Sequence, residues 1–412
     1  MGAKMRTPTE GESALERLAD TNPELEVWWD SSPLIFAGWA QGWLARQGAD
    51  RPLREAQLSR FFGGPAEARV ICGVTTNPPL CKQVLDSSPQ VWREFAIGAA
   101  ASRPGVSSYE VFWETYREIV RRGAAMVMEV FESSGQRRGY LSGQVDPRQL
   151  HDTEAMVAQA KALKQASPNV MIKMPGTKEG IDGIRRLTAL GIATNATLTF
   201  TVSQLVAVAE AVRAGLEEAK RNGVDLSQWR SVGTLMLGRF EDAKEFRRQA
   251  EERGILLSEE DLRWAGIAVF KRVCQTFAER GYPTKPLAAS MRLGPTLDGR
   301  VHVWHIEKIA GAPAVFTIFP NIIEAFLEEY DSLPLESQFE REVPREVIEK
   351  LSRLPYFLQA YEEGGLAPVE FVNYPATVET AHSFSRATEE MIGWVEGVLA
   401  DREEAPGVQV GW

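Results

Sequence analysis

Cysteine and long apolar runs are scarce in this sequence. Its three cysteines, Cys72, Cys81 and Cys274, are an odd number without metal-site spacing, which predicts a reducing compartment and no disulfide framework. No apolar run is long enough to span a bilayer, and the polar first residues lack the apolar core of a signal peptide. The expectation is therefore a soluble, cytoplasmic protein with no membrane partner.

An excess of positive charge is also missing. Acidic residues outnumber basic ones by 56 to 46, for a formal net charge of -10, and this balance argues against nucleic acid as a partner. A glycine-rich phosphate turn after an early strand is missing too, which disfavours a doubly wound open sheet. What is present, 44% hydrophobic and 25% charged residues over 412 positions, suits a large globular core.

Short apolar runs alternate with helical patterns along most of the chain. The runs are rich in Val, Ile, Thr or aromatic residues and are typical of buried strands. They lie at 25–30, 68–78, 139–147, 169–175, 191–198, 230–237, 285–290 and 313–318. Between them, capping residues mark the helix boundaries, such as Ser258 with Asp261 at a start and Gly281 at an end.

This alternation predicts an α/β fold, namely a parallel (β/α)8 TIM barrel with additional C-terminal helices. We place the barrel core at about 25–326 and the C-terminal helices at 327–403, packed on the barrel or its rim, within one domain spanning 1–412. The last residues, 404–412, are predicted to be loosely held.

Lys173 lies in an apolar stretch, NVMIKMPGT at 169–177. On a strand, Met171, Lys173 and Pro175 share one face, and one face of a barrel strand is interior. Burial disfavours the ammonium form and lowers a lysine pKa, and a neutral amine can attack a carbonyl to form a Schiff base. Taken alone, however, the segment favours a strand-end lysine whose head reaches solvent.

Polar residues near the ends of other predicted strands change that interpretation. Because carboxyl-terminal strand ends of a barrel converge on one face, these residues are expected around one cavity with Lys173. They are Asp30, Asn77, Asn195 and Thr197. Each one singly has an ordinary explanation, since Asn before Pro starts a turn and Thr suits a strand.

Together the segments resemble the transaldolase family. MIKMPGT at 171–177 is similar to the family's fourth-strand context for its Schiff-base lysine, IK(I/L/M)P(A/G)T, and the likeness continues to residue 211. GVTTNPPL resembles the family's second-strand motif, and GYLSGQVDPR resembles the third. GTLMLGR resembles the sixth-strand motif and AASMR the seventh. VFTIFPNIIEAF resembles the segment after the eighth strand. The resemblance covers roughly 25–326, and 370–384 looks like the tail of the longer bacterial branch.

The resemblance implies a transferase of the pentose phosphate pathway, with sugar phosphates as partners and neither cofactor nor metal. It would move a dihydroxyacetone unit from a ketose phosphate to an aldose phosphate. Lys173 would be the nucleophile, Asp30 the general acid/base and Thr197 the holder of a catalytic water. The implied substrate-binding residues are Thr75, Asn77, Asn195, Arg239, Ser290 and Arg292. The oligomeric state stays open between monomer and homodimer.

Two positions depart from the family pattern. Gln144 stands where the family's third strand carries a catalytic glutamate; an amide can position a water but cannot take its proton. The related fructose 6-phosphate aldolases, which release dihydroxyacetone, do have glutamine there, but they use a sixth-strand tyrosine where this chain has Met236. The alternatives are thus a Schiff-base aldolase, a specialised transferase of secondary metabolism with an unusual donor or acceptor, or an inactive sugar-phosphate-binding protein.

Three further residues have plain structural interpretations. Without the resemblance, Arg239 would be a surface residue of a helix N-terminus, pairing with Glu241 or Asp242. His302 and His305 lack an accompanying carboxylate or cysteine at recognisable metal-site spacing, so we predict partly buried structural histidines.

Overall fold

The structure is a computed structural model that describes residues 5–404, and its centre is a closed barrel of eight parallel strands. The barrel strands are β1 Glu26–Asp30, β2 Ile71–Thr75, β3 Tyr140–Gln144, β4 Val170–Pro175, β5 Thr194–Thr197, β6 Ser231–Met236, β7 Lys285–Ala289 and β8 Val315–Ile318. Each strand pairs with its neighbours in sequence, and β8 closes the barrel on β1. The predicted (β/α)8 barrel is confirmed, and each predicted run contains one of its strands.

Helices surround the barrel and extend beyond it. They are α1 Ala14–Ala19, α2 Phe36–Leu44, α3 Arg51–Phe62, α4 Pro78–Ser87, α5 Pro89–Ser102, α6 Ser108–Ala125, α7 Met128–Ser133, α8 Thr153–Lys164, α9 Lys178–Ala189, α10 Val202–Arg221, α11 Leu237–Asp242, α12 Lys244–Glu252, α13 Glu259–Arg280, α14 Trp304–Glu307, α15 Pro320–Tyr330, α16 Arg345–Leu351, α17 Pro355–Tyr361 and α18 Pro375–Glu404. No helix within residues 5–404 is both long enough and apolar enough to cross a bilayer.

Helix boundaries follow the capping residues. The Ser258 side chain accepts from the Asp261 amide at 3.1 Å, and the Asp261 carboxylate accepts from the Ser258 amide at 2.7 Å. This reciprocal capping box starts α13, and Gly281 ends it with a φ of 58°, in the left-handed region that glycine tolerates best. Both boundaries agree with the sequence prediction.

The barrel interior changes from apolar to polar along the strands. An apolar floor of buried side chains fills its amino-terminal part: Trp28, Tyr140, Met171, Val232, Leu287 and Val315. Gly73 leaves the space for one of them, because a Cβ atom there would lie 2.3 Å from the Trp28 ring. Two residues further along the strands, on the same face, stand mostly polar side chains: Asp30, Thr75, Ser142, Lys173, Asn195, Thr234, Ala289 and Thr317. The floor therefore seals this polar layer from below.

The C-terminal helix α18 lies across the carboxyl-terminal end of the barrel. It contacts α4, α5 and α6, which connect β2 to β3, and α11, which follows β6. Its Phe384 is fully buried, with the ring centroid 5.1 Å from the guanidinium carbon of Arg239. The predicted packing of the C-terminal helices on the barrel is confirmed. Apart from Glu404, the tail predicted to be loosely held lies outside the described residues.

Candidate active site

A small cavity lies where the polar layer meets the carboxyl-terminal strand ends. Its volume is about 30 Å³, enough for roughly one water molecule. The lining residues are Asp30, Thr75, Asn77, Lys173, Thr234, Met236, Arg239, Ala289, Ser290, Thr317 and Phe319. Six of these were predicted from the sequence, from different strands, so the expected convergence holds for them: Asp30, Thr75, Asn77, Lys173, Arg239 and Ser290.

Lys173 lies inside the barrel, and only 4% of it is exposed. Its Nζ donates to the Thr76 carbonyl at 3.1 Å. Burial lowers the pKa of Lys173 to about 8, against the opposing pull of the Asp30 carboxylate. The alternative of a side chain that reaches solvent is wrong, because the residue faces the interior above the apolar floor.

Asp30 is equally buried at the end of β1. Burial raises the pKa of Asp30 to about 6, although the Lys173 charge and a hydrogen bond from Thr75 both pull it down. The Thr75 hydroxyl donates to the Asp30 carboxylate at 2.8 Å. A carboxylate and an amine with pKa values moved toward neutrality can exchange protons with a reactant near pH 7.

If Lys173 attacks a carbonyl to form an imine, its lowered pKa predicts how the rate depends on pH. The neutral amine is the reactive form and is present above its pKa, so the rate should rise with pH up to about 8 and then level off. An ordinary lysine, with a pKa of about 10.4, would keep gaining rate to higher pH. Imine formation with dihydroxyacetone, stopped at fixed times by borohydride in one common buffer, measures this; a rate still climbing above pH 9 would contradict it.

Gln144 and Asn195 stand on either side of Lys173, because the strand register pairs Lys173 with both of them. The Asn195 amide nitrogen donates to the Ser142 hydroxyl at 3.0 Å, and its oxygen accepts from Thr234 at 2.7 Å. The buried Gln144 side-chain oxygen has no hydrogen-bond partner within residues 5–404. Neither residue lines the cavity, but Gln144 keeps a free acceptor beside the amine.

Thr197 and Asn77 differ from what the sequence predicted, since Thr197 lies outside the cavity and the Asn77 side chain also caps a helix. Thr197 does not line the cavity; its hydroxyl lies 3.9 Å from the sulfur of Met236, which does. The Asn77 side-chain oxygen accepts from the Leu80 amide at 3.0 Å and so caps α4. Its amide nitrogen remains available to the cavity.

Arg239 is half-buried and lines the cavity. Its guanidinium makes no hydrogen bond within the described part of the chain, and its guanidinium carbon lies 5.1 Å from the centroid of the Phe384 ring. Burial, followed by the charge of nearby Arg292, lowers the pKa of Arg239. The interpretation of Arg239 as a surface residue paired with Glu241 or Asp242 is therefore wrong.

Arg292 and Ser290 lie close to Arg239 and complete a positively charged end of the site. Arg292 donates to the Ser290 carbonyl at 2.9 Å and to its hydroxyl at 3.3 Å, and it also pairs with Asp242 at 2.9 Å. Ser290 has a φ of 60°, an unusual value outside glycine. Arg292 does not line the cavity, yet it lies close enough to Arg239 to affect its charge. Two neighbouring guanidinium groups suit an anion such as a phosphate.

Several residues of the site were missed from the sequence. Thr234 and Thr317 line the cavity, and strand alternation would have found Thr234, which lies two residues before Met236. Phe319, just beyond β8, also lines it. His305 is fully buried and contacts Glu241 across 64 residues of sequence, a pairing that no local pattern signals.

Fold and site together define a (β/α)8-barrel protein with a buried lysine of lowered pKa and a pair of arginines at the carboxyl ends of its strands. The family model described as Transaldolase/Fructose-6-phosphate aldolase matches residues 65–363, and the chain belongs to this family. The match contains Lys173 and the arginines but begins after Asp30.

Individual relatives are similar over shorter stretches. Transaldolase 1 of Streptomyces avermitilis is 37% identical over 173 residues, covering 42% of this chain and 45% of that protein. Transaldolase 1 of Streptomyces coelicolor is 34% identical over 230 residues, covering 55% and 54%. The transaldolase of Thiobacillus denitrificans is 33% identical over 244 residues, covering 58% and 65%. The chain thus spans about half the length of the curated relatives it matches.

Proposed function

We propose that this protein transfers a dihydroxyacetone unit from a ketose phosphate to an aldose phosphate through an imine on Lys173. The observation that carries the proposal is that Lys173 and Asp30, both buried, line one cavity at the carboxyl-terminal end of the barrel. Burial moves the pKa values of both groups toward neutrality. Family membership and the names of the similar proteins support the same reaction class.

The reaction begins with attack by the neutral Lys173 amine on the ketose carbonyl carbon. A carbinolamine forms, and loss of water yields a protonated imine. About a tenth of a group with a pKa of about 8 is unprotonated at pH 7, far more than for an exposed lysine. The new iminium charge then favours the ionised form of Asp30 nearby.

Asp30 carries the carbon–carbon cleavage. Its carboxylate takes the proton of the C4 hydroxyl, the C3–C4 bond breaks, and the electron pair flows into the iminium to give an enamine. The aldose phosphate leaves as an aldehyde, and the enamine stays on Lys173. Addition of the enamine to a second aldose phosphate reverses these steps, and hydrolysis of the imine releases the product ketose.

The arginines supply the phosphate contacts in this proposal. Arg239 is without a hydrogen-bonded partner within residues 5–404, and Arg292, just outside the cavity, lies near enough for its charge to lower the pKa of Arg239. A guanidinium can bind a phosphate through two hydrogen bonds. The Ser290 hydroxyl, already 3.3 Å from Arg292, adds a third polar group at that end.

A second candidate is an aldolase that releases dihydroxyacetone, and Gln144 is the observation that favours it. The fructose 6-phosphate aldolases that this segment resembles also have glutamine at that strand position, where the transaldolases have a glutamate. Met236 counts against the aldolase, because it lines the cavity where those aldolases use a tyrosine and it offers no hydroxyl. A coupled assay for free dihydroxyacetone, run beside transfer to erythrose 4-phosphate, separates the two reactions.

Substitution Gln144→Glu should raise transfer activity, because a carboxylate next to the amine adds general acid/base catalysis. Such catalysis is typically worth ~10²–10⁴-fold, so a gain of at least about tenfold is expected in transfer to erythrose 4-phosphate. Gln159→Glu, at a half-buried glutamine of α8 outside the cavity, is the control and should change nothing. An unchanged or reduced transfer rate in Gln144→Glu would count against a transferase limited by proton exchange.

A further inference from the structure

A buried hydrogen-bond network lies behind the two arginines. Its centre is His305, whose side chain is fully buried, as is that of Glu241 on α11. The His305 Nε2 lies 2.6 Å from a Glu241 carboxylate oxygen. Its Nδ1 lies 2.9 Å from the backbone nitrogen of Arg292 and accepts its N–H. One imidazole thus connects the helix that carries Arg239 to the loop that carries Arg292.

The geometry fixes the tautomer of this imidazole. A ring nitrogen that accepts a backbone N–H carries no proton of its own, so the Nδ1 of His305 is unprotonated. The proton therefore sits on Nε2 and is donated to Glu241. His305 therefore accepts a hydrogen bond from the Arg292 amide and donates one to the Glu241 carboxylate.

A second clamp acts on the same two segments. Arg263 of α13 pairs with the other carboxylate oxygen of Glu241 and donates from Nε to the Leu293 carbonyl at 3.0 Å. Close packing makes the arrangement specific. A Cβ atom at Gly266 would lie 2.4 Å from the Glu241 carboxylate, and one at Gly238 would lie 2.2 Å from the Ser290 carbonyl. A side chain at Gly238 would push α11 away from the loop after β7, and one at Gly266 would push α13 against Glu241 of α11.

We infer that His305 and Glu241 are positioning residues that set the separation of Arg239 and Arg292 for a substrate phosphate. Arg239 lies two residues before Glu241 on the short helix α11, and the backbone amide of Arg292 donates a hydrogen bond to His305. The inference rests on the proposed function, since it assigns the phosphate end of the same site. Loss of the network should leave both arginines present but wrongly spaced, and small misplacements of binding groups are costly.

The inference makes a distinction between substrates. The network contacts the Arg292 backbone and the helix that carries Arg239, and it makes no hydrogen bond to Lys173 or Asp30. It should therefore govern binding of phosphorylated sugars more than imine formation. A donor without phosphate, dihydroxyacetone, should be indifferent to changes at His305. A purely structural role would instead affect both donors alike.

Two substitutions divide the contacts of His305. His305→Asn keeps an acceptor near the position of Nδ1 and so can retain the Arg292 amide. His305→Gln extends a donor toward the position of Nε2, which reaches Glu241 but abandons the Arg292 amide. We expect His305→Gln to raise KM for fructose 6-phosphate about tenfold, the effect of one lost hydrogen bond of about 1.4 kcal/mol, and His305→Asn to change it less.

The experiment measures borohydride-trapped imine on the full chain against concentration of fructose 6-phosphate and, separately, of dihydroxyacetone. In His305→Gln, the half-saturating concentration of fructose 6-phosphate should rise about tenfold, whereas that of dihydroxyacetone should not change. The maximal amount of trapped imine should stay the same for both donors. His302→Gln, a histidine whose side chain contacts Glu307 and not the loop, is the matched control. Half-saturation in His305→Gln that is unchanged from wild type for both donors, or shifted equally for both, would overturn the inference.

Failure of the inference is distinguishable from failure of the proposed function. If the wild-type chain traps neither donor, the proposed function is wrong; if it traps both and the variants show no phosphate-specific shift, only the positioning role is wrong. Thermal melting reports whether each variant is folded. Should His305→Gln not fold, Glu241→Gln keeps the size of the side chain while weakening both of its contacts, and the same phosphate-specific shift is expected of it; its absence there overturns the inference.

Discussion

Replacing Lys173 with methionine is expected to abolish the borohydride-trapped adduct with fructose 6-phosphate and to lower turnover by on the order of 10⁶-fold or more, the range of enzymatic rate enhancements. Methionine has a similar length and suits the buried environment, so the barrel should stay folded. Without the amine no covalent intermediate forms, and the remaining groups have nothing to act on. Intact mass after borohydride treatment and steady-state transfer rates measure both effects.

Two other lysines provide matched controls. Burial also lowers the pKa of Lys164 on α8 and of Lys271 on α13 to about 8, but neither lies in the barrel interior. Lys164→Met and Lys271→Met should therefore trap as the wild type does. A Lys173→Met variant that still forms the adduct would show that a reactive amine elsewhere is responsible.

Substitution Asp30→Asn is expected to separate imine formation from carbon–carbon cleavage. Lys173 still attacks the carbonyl of fructose 6-phosphate, but no carboxylate remains to take the C4 hydroxyl proton. Cleavage should slow by ~10²–10⁴-fold. The trapped adduct should then change from the three-carbon unit expected on wild type to the uncleaved six-carbon sugar phosphate, a difference that intact mass resolves.

Asp146→Asn is the control for this change. Asp146 is another buried carboxylate that follows a barrel strand, but it pairs with Arg148 and does not line the cavity. Its variant should still give the three-carbon adduct. An Asp30→Asn chain that accumulates the three-carbon adduct at the wild-type rate would remove Asp30 from the cleavage step.

The sequence predicted those parts of the site that depend on strand periodicity alone. Asp30 and Lys173 each end or occupy a short apolar run, and the closure of parallel strands brings such positions to one face. Two-residue alternation then puts Lys173 above Met171, in the interior. Because these relations are local, or follow from the barrel topology, no knowledge of side-chain packing was needed.

Relations between distant loops were not accessible in this way. Arg239 was predictable as a cavity residue only by resemblance, because its local sequence fits an exposed helix start equally well. The pairing of His305 with Glu241 depends on how α11 packs against the loop after β7, which is set by tertiary contacts. The placement of Thr197 outside the cavity depends on Met236, whose side chain lies in between. The position of α18 across the carboxyl-terminal end of the barrel likewise depends on tertiary packing and could not be predicted from the local sequence.

Peptide mapping of the adduct tests the central claim most directly. After reduction of the wild-type chain with fructose 6-phosphate and borohydride, the peptide that contains Lys173 should carry a single three-carbon unit, and peptides that contain Lys164 or Lys271 should be unmodified. A chain that carries no label, or whose label lies on either of those half-buried lysines, would contradict the assignment of the barrel-interior amine as the reactive group.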